Sequence, residues 1–507
     1  LPAAHSVFAG LPPARPDGAA LRASVRAQRA ADGLLLGVLD DDPTGSQAVH
    51  GIEVVTALEQ SAYQAALDGP AGGCFVLTNT RSLDEPAAAR LTRQAARDLI
   101  AVAARRGARI QLVSRSDSTL RGHLLAEVAA AAAARQELLG RGFDGVLLIP
   151  AFPEAGRVTA GGIHWARIGP DLVPVGETEF ARDPAFGYRS SVLRDFIAER
   201  SGGAVRPEQV ARISLEDIRL GGPDRVAGRL AGVPGGGWVV VDAVDDADLD
   251  AVACGVLRAE RAGQAFLLRT GPSFARALLG QDPQPPLRGA RIWPPGRGLP
   301  KHGVSGGHGL IVVGSHVGQT SRQLAVLRAR PTVAAVELDV PAVLRGDRDV
   351  TGAAARQAAA ALRTSDVLLY TSRAVATGPG PAASLAIART VSAALATVVR
   401  NIVVRNIVVR DIVVRDMVAS RPPAWVLAKG GITSHDIAVH GLGIRRALVA
   451  GQLFPGLISV FHPADAAPAA VGLPYVVFAG NVGHDGTLAQ VVDILNGHPQ
   501  PSEQEDG

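Results

Sequence analysis

The stretch GLLLGVLDDDPTGS (33–46) decides the fold. A strand-length apolar run stops at three consecutive acids and passes into a Pro-Thr-Gly-Ser turn. The same grammar recurs in GCFVLTNT (73–80), ARIQLVSRSD (108–117), GVLLIPAFP (145–153) and GWVVVDAV (237–244). Between the first four lie stretches of helical character, residues 85–106 and 124–139. Strands that are apolar throughout and alternate with helices specify a mainly parallel sheet covered on both faces, an α/β fold. Such sheets collect ligands at the carboxyl ends of their strands. The polar residues of these runs stand at those ends.

A second series of the same kind begins at LIVVGSHVGQTSRQL (310–324), with a helix expected from Ser321. It continues through VAAVELD (333–339), SDVLLYTSR (365–373), AWVLAKGGITSHD (424–436) and YVVFAGNVGHDG (475–486). Between the series, DPQPPLRGARIWPPGRGLPKHGVSGGHG (282–309) is dense in Pro and Gly and has no period, the mark of a crossover. The expected organisation is a loose lead-in over 1–32 with a short helix, an α/β domain over 33–285, a linker over 286–308, a second α/β domain over 309–498 and a disordered tail from Pro499.

Composition narrows the function classes. Over 507 residues, Lys+Arg 51 against Asp+Glu 47 leaves a net charge of only +4, which is no nucleic-acid-binding field. Cys74 and Cys254 are the only two cysteines, so neither a disulfide framework nor a zinc site is expected, and a cytoplasmic setting fits. No run reads as a membrane span, and the first residues lack the charged start and apolar core of a secretory signal. The chain begins with Leu, so its true start can lie further upstream. Only two basic residues are lysines, Lys301 and Lys429. The five-residue repeat VVRNI-VVRNI-VVRDI-VVRDM (398–417) drifts by about 140° per unit on a helix and keeps no face. It reads as a tandem duplication lengthening a surface helix.

Three motifs of the first series carry chemistry. Asp40, Asp41 and Asp42 at a strand end, before Thr44 and Gly45, suit general-base or Mg²⁺-related work. SRSDSTLRGH (114–123) combines Arg115 and Arg121 with Ser116 and Asp117, groups that grip carboxylates and hydroxyls. Arg81 follows another strand, and PAFPEAGRVT (150–159) leads to His164. The second series offers glycine turns at three strand ends: Ser315 and Gly318, then Lys429, Gly430, Gly431, Thr433 and Ser434, then Gly480, Asn481 and Gly483. Glycines and hydroxyls at strand-to-helix junctions let backbone N–H groups approach phosphate oxygens. Neither a Walker A order nor a GxGxxG opening is present.

In this order, LDDDPTGSQAVHGIEVVT, SRSDSTLRGH, PAFPEAGRVT, GSHVGQTSRQL, AKGGITSHD and VVFAGNVG resemble the four-carbon acid sugar kinase family, over roughly residues 33–495. The resemblance implies an N-terminal sugar-acid domain and a C-terminal nucleotide domain using ATP and Mg²⁺. It implies phosphorylation of the terminal hydroxyl of 3-oxo-tetronate, threonate or erythronate. Motif by motif, it puts Asp41, Asp42, Thr44, Gly45, Arg81, Asp117 and Arg121 on the substrate side. On the nucleotide side it puts Ser315, Gly430, Gly431, Thr433, Ser434, Gly480 and Asn481. The base is expected among Asp40–Asp42 or Asp117, and no metal ligand is assigned. Transfer from one domain to the other calls for closure. A homodimer is the expected assembly, with no nucleic-acid or membrane partner. Two other readings stand beside this one. One is a non-catalytic sugar-acid sensor. The other is a haloacid-dehalogenase-like phosphatase using Asp40 of the DxDxT match as nucleophile, although no lysine precedes its later acidic pair, Asp245-Asp246.

Overall fold

The computed structural model describes residues 7–295, 307–404 apart from 348, 375, 377, 379 and 380, and 422–498 apart from 455 and 481. The chain divides into two compact α/β units, with the boundary between Gln284 and Pro285.

The strands of the first unit are β1 (Leu35–Asp40), β2 (Glu53–Val55), β3 (Gly73–Leu77), β4 (Ile110–Arg115), β5 (Gly145–Ile149), β6 (Arg157–Ala160), β7 (Ile163–Ile168), β8 (Asp171–Pro174), β9 (Ala211–Ile213), β10 (Gly237–Val241) and β11 (Phe266–Thr270). Eight of them pair in parallel in the order β2-β3-β1-β4-β11-β5-β10-β9. Every residue of β1, β3, β5 and β11 is buried, as strands covered on both faces must be. Helices Glu85–Arg105 and Leu124–Leu139 form where the sequence has them. The chain leaves β1 toward β3 on one side and leaves β4 toward β5 on the other. The crevice between the ends of β1 and β4 is therefore a topological switch point, the usual ligand position in such sheets.

The short helix expected near Ala19–Ala31 forms as Gly18–Asp32, but it is packed and not loose: it buries Leu21, Val25 and Arg29, with helices Asp246–Arg261 and Pro272–Leu279 as its neighbours. The Arg29 guanidinium donates to Gln111 Oε1 at 3.0 Å and to the Leu34 carbonyl at 2.9 Å. A separate antiparallel sheet, β6-β7-β8, rises from the PAFPEAGRVT motif.

The second unit contains β12 (Leu310–Val313), β13 (Val333–Leu338), β14 (Asp366–Thr371), β15 (Val426–Lys429), β16 (Arg446–Phe454), β17 (Ile458–Asp465) and β18 (Tyr475–Phe478). Their order is β13-β14-β12-β15-β18-β17-β16. The first five are parallel, while β17 pairs antiparallel with both β18 and β16. Chain connections part in opposite directions at β12 and β15, giving a second switch point there.

Here too the structure corrects expectations. The unpatterned crossover is anchored in this unit's core by Leu287, Ile292 and Trp293, and the Ile292 carbonyl meets His462 Nε2 at 2.8 Å. The helix expected from Ser321 begins at Gly318. Helix Pro381–Val403 takes in the first residues of the five-residue repeat, and Val398, Val399, Ile402 and Val403 are buried, so this part is packed and not a surface extension. The rest of the repeat from 405, and the tail from Pro499, lie outside the described residues. Contrary to the sequence reading, Ala386–Val403 is long and apolar enough for a membrane span, but 44% of that stretch is buried inside the unit.

Candidate active site

At the first switch point, Asp40 stands in register with Leu77 of β3 and Arg115 of β4. Acids at the end of β1 are therefore set among arginines from its neighbours. Arg115 Nε donates to Asp40 Oδ1 at 2.5 Å, its Nη2 to the Asp42 carbonyl at 2.6 Å, and the same nitrogen lies 3.3 Å from Asp41 Oδ1. Arg81 Nη2 donates to Asp41 Oδ1 at 2.7 Å, with Nη1 3.5 Å from Asp42 Oδ2. Arg121 Nε donates to Asp117 Oδ2 at 2.6 Å and Nη1 to Asp183 Oδ2 at 3.5 Å. Alternating charges let five carboxylates share a site that would otherwise repel itself apart.

Within this lattice the acids differ. Burial raises Asp40 to about 7 against the pull of Arg115, and Asp41 and Asp42 add to the rise. Burial opposes ionisation of Asp117 as well, but Arg121 and Arg81, with the Thr119 hydroxyl, hold it well below the usual carboxylate range. Asp42 is also lowered: burial is outweighed by Arg81, Arg115 and the hydroxyl and N–H of Thr44. Asp42 and Asp117 keep side-chain exposures of 16% and 13%, against 3% and 2% for Asp40 and Asp41. Asp42 and Asp117, held ionised by their arginines, are thus also the more accessible of these four, able to accept a proton or meet a cation. Asp40, which the phosphatase reading needs as nucleophile, is buried and clamped by Arg115.

Gly45 is required by close approach. A Cβ there would stand 2.1 Å from Arg115 Nε and 2.3 Å from its Cζ. Arg115 itself is buried, and its guanidinium is engaged by Asp40, Asp41 and two carbonyls, so it positions the acids and offers no free edge to a substrate. His164, expected at the substrate, is also fully buried. Its Nδ1 pairs with the Thr159 hydroxyl at 2.9 Å and its Nε2 with the Ser118 carbonyl at 2.8 Å. Burial lowers it to about 4, so it stays neutral and braces the 116–121 loop from below. Ser116 is buried and Thr44 half-buried, both inside the same crevice wall.

Sequence reasoning missed the loop after β8. Tyr188 donates its hydroxyl to the Thr119 carbonyl at 2.6 Å, Phe180 lies under Arg121 with 5.3 Å from Cζ to ring centroid, and Asp183 completes the Arg121 pair. Asp183-Pro184 marks a turn in TEFARDPAFGYRS (178–190), but nothing in that signature says that the loop packs against Thr119 and Arg121. Among the described residues, only Asn79 (φ 50°) and Leu120 (φ 67°) combine a side chain with a positive φ, and both lie in these strand-end loops. Non-glycine residues hold such conformations at a cost of order 1–3 kcal/mol, and only where their surroundings enforce them. A cavity of about 340 Å³ lined by Leu34, Arg109, Gln111, Arg135 and Glu260 lies at the opposite, amino ends of β1 and β4, away from this chemistry.

At the second switch point three turns converge on Ser315. The Thr320 hydroxyl, in helix Gly318–Arg328, donates to the Gly480 carbonyl at 2.8 Å and lies 3.3 Å from Ser315 Oγ. A Cβ on Gly480 would stand 2.8 Å from Ser315 Oγ. Gly430 has φ 116°, a conformation side chains avoid, and its Cβ position lies 3.2 Å from Ser315 Cβ and 3.3 Å from Thr433 Oγ1. The glycines thus let the turns at the ends of β12, β15 and β18 pack closely around Ser315, and glycine turns at strand ends are the kind of backbone cradle that can present N–H groups to phosphate oxygens. Gly318 is exposed at the start of its helix, Gly431 is half-buried, and Gly483 turns the chain into helix Thr487–Leu495. Asn481 lies outside the described residues. Ser434 is fully buried and donates to the Ala428 carbonyl at 3.0 Å, so it holds the turn from within.

Lys429 is not in the cradle. Its side chain is fully buried, Nζ donates to the Ala479 carbonyl at 3.0 Å, and it sits 3.5 Å from the centroid of the Phe478 ring. Burial pushes the ammonium down to about 7. The residue straps the β15 turn to the β18 turn from beneath. The cation that does reach Ser315 is one the sequence reading passed over, Arg373 at the end of β14. It donates to the Ser315 carbonyl at 2.9 Å and to the Ser321 hydroxyl at 2.6 Å, and pairs with no carboxylate among the described residues.

Comparison with known proteins divides the chain in the same place. Two family models match in tandem: a sugar-binding N-terminal domain over residues 36–278 and a nucleotide-binding C-terminal domain over residues 310–488. The chain is 32% identical over 307 residues to D-threonate kinase of Bordetella bronchiseptica, covering 58% of this chain and 63% of that one. It is 29% identical over 233 residues to D-erythronate kinase of Heliobacterium modesticaldum, 45% of each chain. It spans less than two thirds of the length of the curated relatives it matches. Its fold is that of Haemophilus influenzae protein HI1011, with TM-score 0.56 and 17% identity over 89% of this chain and 97% of the other.

Proposed function

The chain belongs to the four-carbon acid sugar kinase family, and we propose that it transfers the terminal phosphoryl group of ATP to the terminal hydroxyl of a 3-oxo-tetronate, threonate or erythronate. The observation that carries this reading is the split of chemistry between two switch points. One presents an acid–arginine lattice suited to a hydroxylated acid, the other a glycine-turn cradle suited to a triphosphate.

In this reading Asp117 or Asp42 accepts the hydroxyl proton, since these carboxylates are held ionised and are more accessible than Asp40 and Asp41. Asp40 and Asp41 are positioning residues, locked to Arg115 and Arg81. Arg121 orients Asp117 and adds positive charge where the phosphoryl group arrives. Backbone N–H groups around Gly314–Gly318, Gly430–Gly431 and Gly480 orient the phosphates. For a reaction with a loose transition state, positioning and charge stabilisation provide most of the acceleration. Mg²⁺ belongs to the same reading. An ion of this kind is carried by nucleotide phosphates and takes one or two carboxylates from the protein. Asp42 and Asp117 are the carboxylates open to it. When bound, it would neutralise charge on the transferred group. The buried thiols of Cys74 and Cys254 are consistent with a cytoplasmic setting.

The test is ADP release from ATP and Mg²⁺ with each isomer of threonate, erythronate and 3-oxo-tetronate. One acid is expected to be turned over well above the rest. Tight binding of an acid with no turnover of any would make the chain a sensor instead.

A further inference from the structure

Of five arginines around the first switch point, four are matched by acids: Arg81 by Asp41 and Asp42, Arg115 by Asp40 and Asp41, Arg121 by Asp117 and Asp183, Arg269 by Glu127. Arg157, the first residue of β6, is not. It forms no ion pair among the described residues. One terminal nitrogen donates to the Ala155 carbonyl, while its Nε is buried with no hydrogen-bond partner. Its Cζ lies 5.9 Å from the centroid of Phe180, the ring that also carries Arg121 at 5.3 Å. Two guanidinium groups thus contact one aromatic ring, and only one has its counter-ion.

A buried guanidinium cannot shed its charge by losing a proton under ordinary conditions, and an unpaired buried donor is costly. Burial pulls the Arg157 pKa down; Asp117 pulls it up, and Arg121 pushes it down again. The charge therefore feels both members of the Asp117–Arg121 pair without being neutralised by either. Such an exception calls for a partner that is present only part of the time. A carboxylate fits the fork of donors with two parallel charge-assisted hydrogen bonds.

We infer that Arg157 binds the carboxylate of the substrate acid and is the residue that selects sugar acids over neutral polyols of the same length. This deepens the kinase reading and rests on it. Holding the carboxylate on Arg157, whose guanidinium lies against the Phe180 ring, leaves Asp117 for the hydroxyl chemistry, so recognition and proton transfer fall to different side chains. The PAFPEAGRVT motif, whose role the reaction alone does not explain, is then the element that carries the specificity residue. The αL turn at Gly156 and the Phe152–Arg157 backbone pairing fix where that residue leaves the chain.

The experiment compares D-threonate and D-erythronate with threitol and erythritol, which keep the terminal hydroxyl and lack the carboxylate. Wild-type enzyme is expected to prefer its acid by at least about 100-fold in kcat/KM. Arg157→Gln should lower kcat/KM for the acid roughly 10- to 100-fold, mainly through KM. It should leave the polyol value and the KM for ATP within about threefold. Arg157→Lys should fall between, because it keeps charge and loses the fork. Equal losses on acid and polyol, or no loss on the acid, would overturn the assignment. If Arg157→Gln does not fold, the same ratio is read on Arg157→Lys, where an unchanged acid preference overturns it. A wild-type enzyme that phosphorylates no four-carbon acid would instead remove the kinase reading itself.

Discussion

Replacing Gly45 by Ala should collapse the acid–arginine lattice from one side. The added methyl would stand 2.1–2.3 Å from Nε, Cζ and Nη2 of Arg115. Contacts that close cannot be relaxed by a few tenths of an ångström, so the guanidinium must leave. Arg115 is no flexible surface side chain: it is held at 2.5 Å by Asp40 and at 2.6 Å by the Asp42 carbonyl. Its displacement leaves Asp40 buried without a counter-ion, which costs about 3–5 kcal/mol for a broken buried pair. Native-state hydrogen exchange of β1 and β4 peptides reads this directly, as exchange roughly a hundred- to several-thousand-fold faster. A double-mutant cycle with Arg115→Met isolates the cause, because Gly45→Ala should cost little once the guanidinium is gone. Exchange in Gly45→Ala within twofold of wild type, or equal costs in both backgrounds, would refute the steric argument.

Other expectations can be checked alongside. Gly480→Ala pushes on Ser315 Oγ at 2.8 Å and should weaken ATP binding at least tenfold by calorimetry, while sugar-acid binding without nucleotide persists; unchanged ATP affinity would take the β18 turn out of the cradle. Arg121→Ala removes both the partner of Asp117 and a cation, so kcat for the acid should fall together with a rise in KM, with little change in KM for ATP. Lys429 gives a pH signature. Its native pKa of about 7 lies below the ordinary 10.5, so between those values the unfolded chain binds a proton that the native chain does not, and stability of the second unit rises with pH by at most about 1.4 kcal/mol per unit. In Lys429→Met that rise should disappear from denaturation curves taken across pH 7–10; an identical slope would show that the ammonium stays charged over Phe478.

The parallel strands were legible because burial on both faces writes an uninterrupted apolar run, and the polar residues after each run were where the switch points lie. Antiparallel strands were not. β16 buries alternate residues, but its ladder shifts register around Val449–Gly451 and again near Phe454, and β17 contains Pro463, both of which blur the two-residue period. The crossover hid its anchors because Leu287, Ile292 and Trp293 are isolated apolar residues with no period to reveal them. Among site residues, the acids and glycines could be named from spacing. Which arginines are consumed by those acids could not, since that depends on contacts between strand ends far apart in sequence. Lys429 shows the same limit: a lysine at a strand end can face a ligand or pass beneath the next turn, and only the third dimension distinguishes them.

Asn79 and Leu120 bear on how this protein would respond to laboratory evolution. At Asn79 a selection for heat tolerance alone can trade the left-handed side chain for glycine, which holds that backbone without strain. At Leu120 the same trade is closed, because the side chain is buried in the core and its loss costs more than the strain it relieves. A glycine at 79 would slacken the loop that sets Arg81, so thermal hardiness and turnover should separate there sooner than in the surrounding helices. Libraries meant to improve both should keep residues 79 and 120 fixed and seek their stability elsewhere.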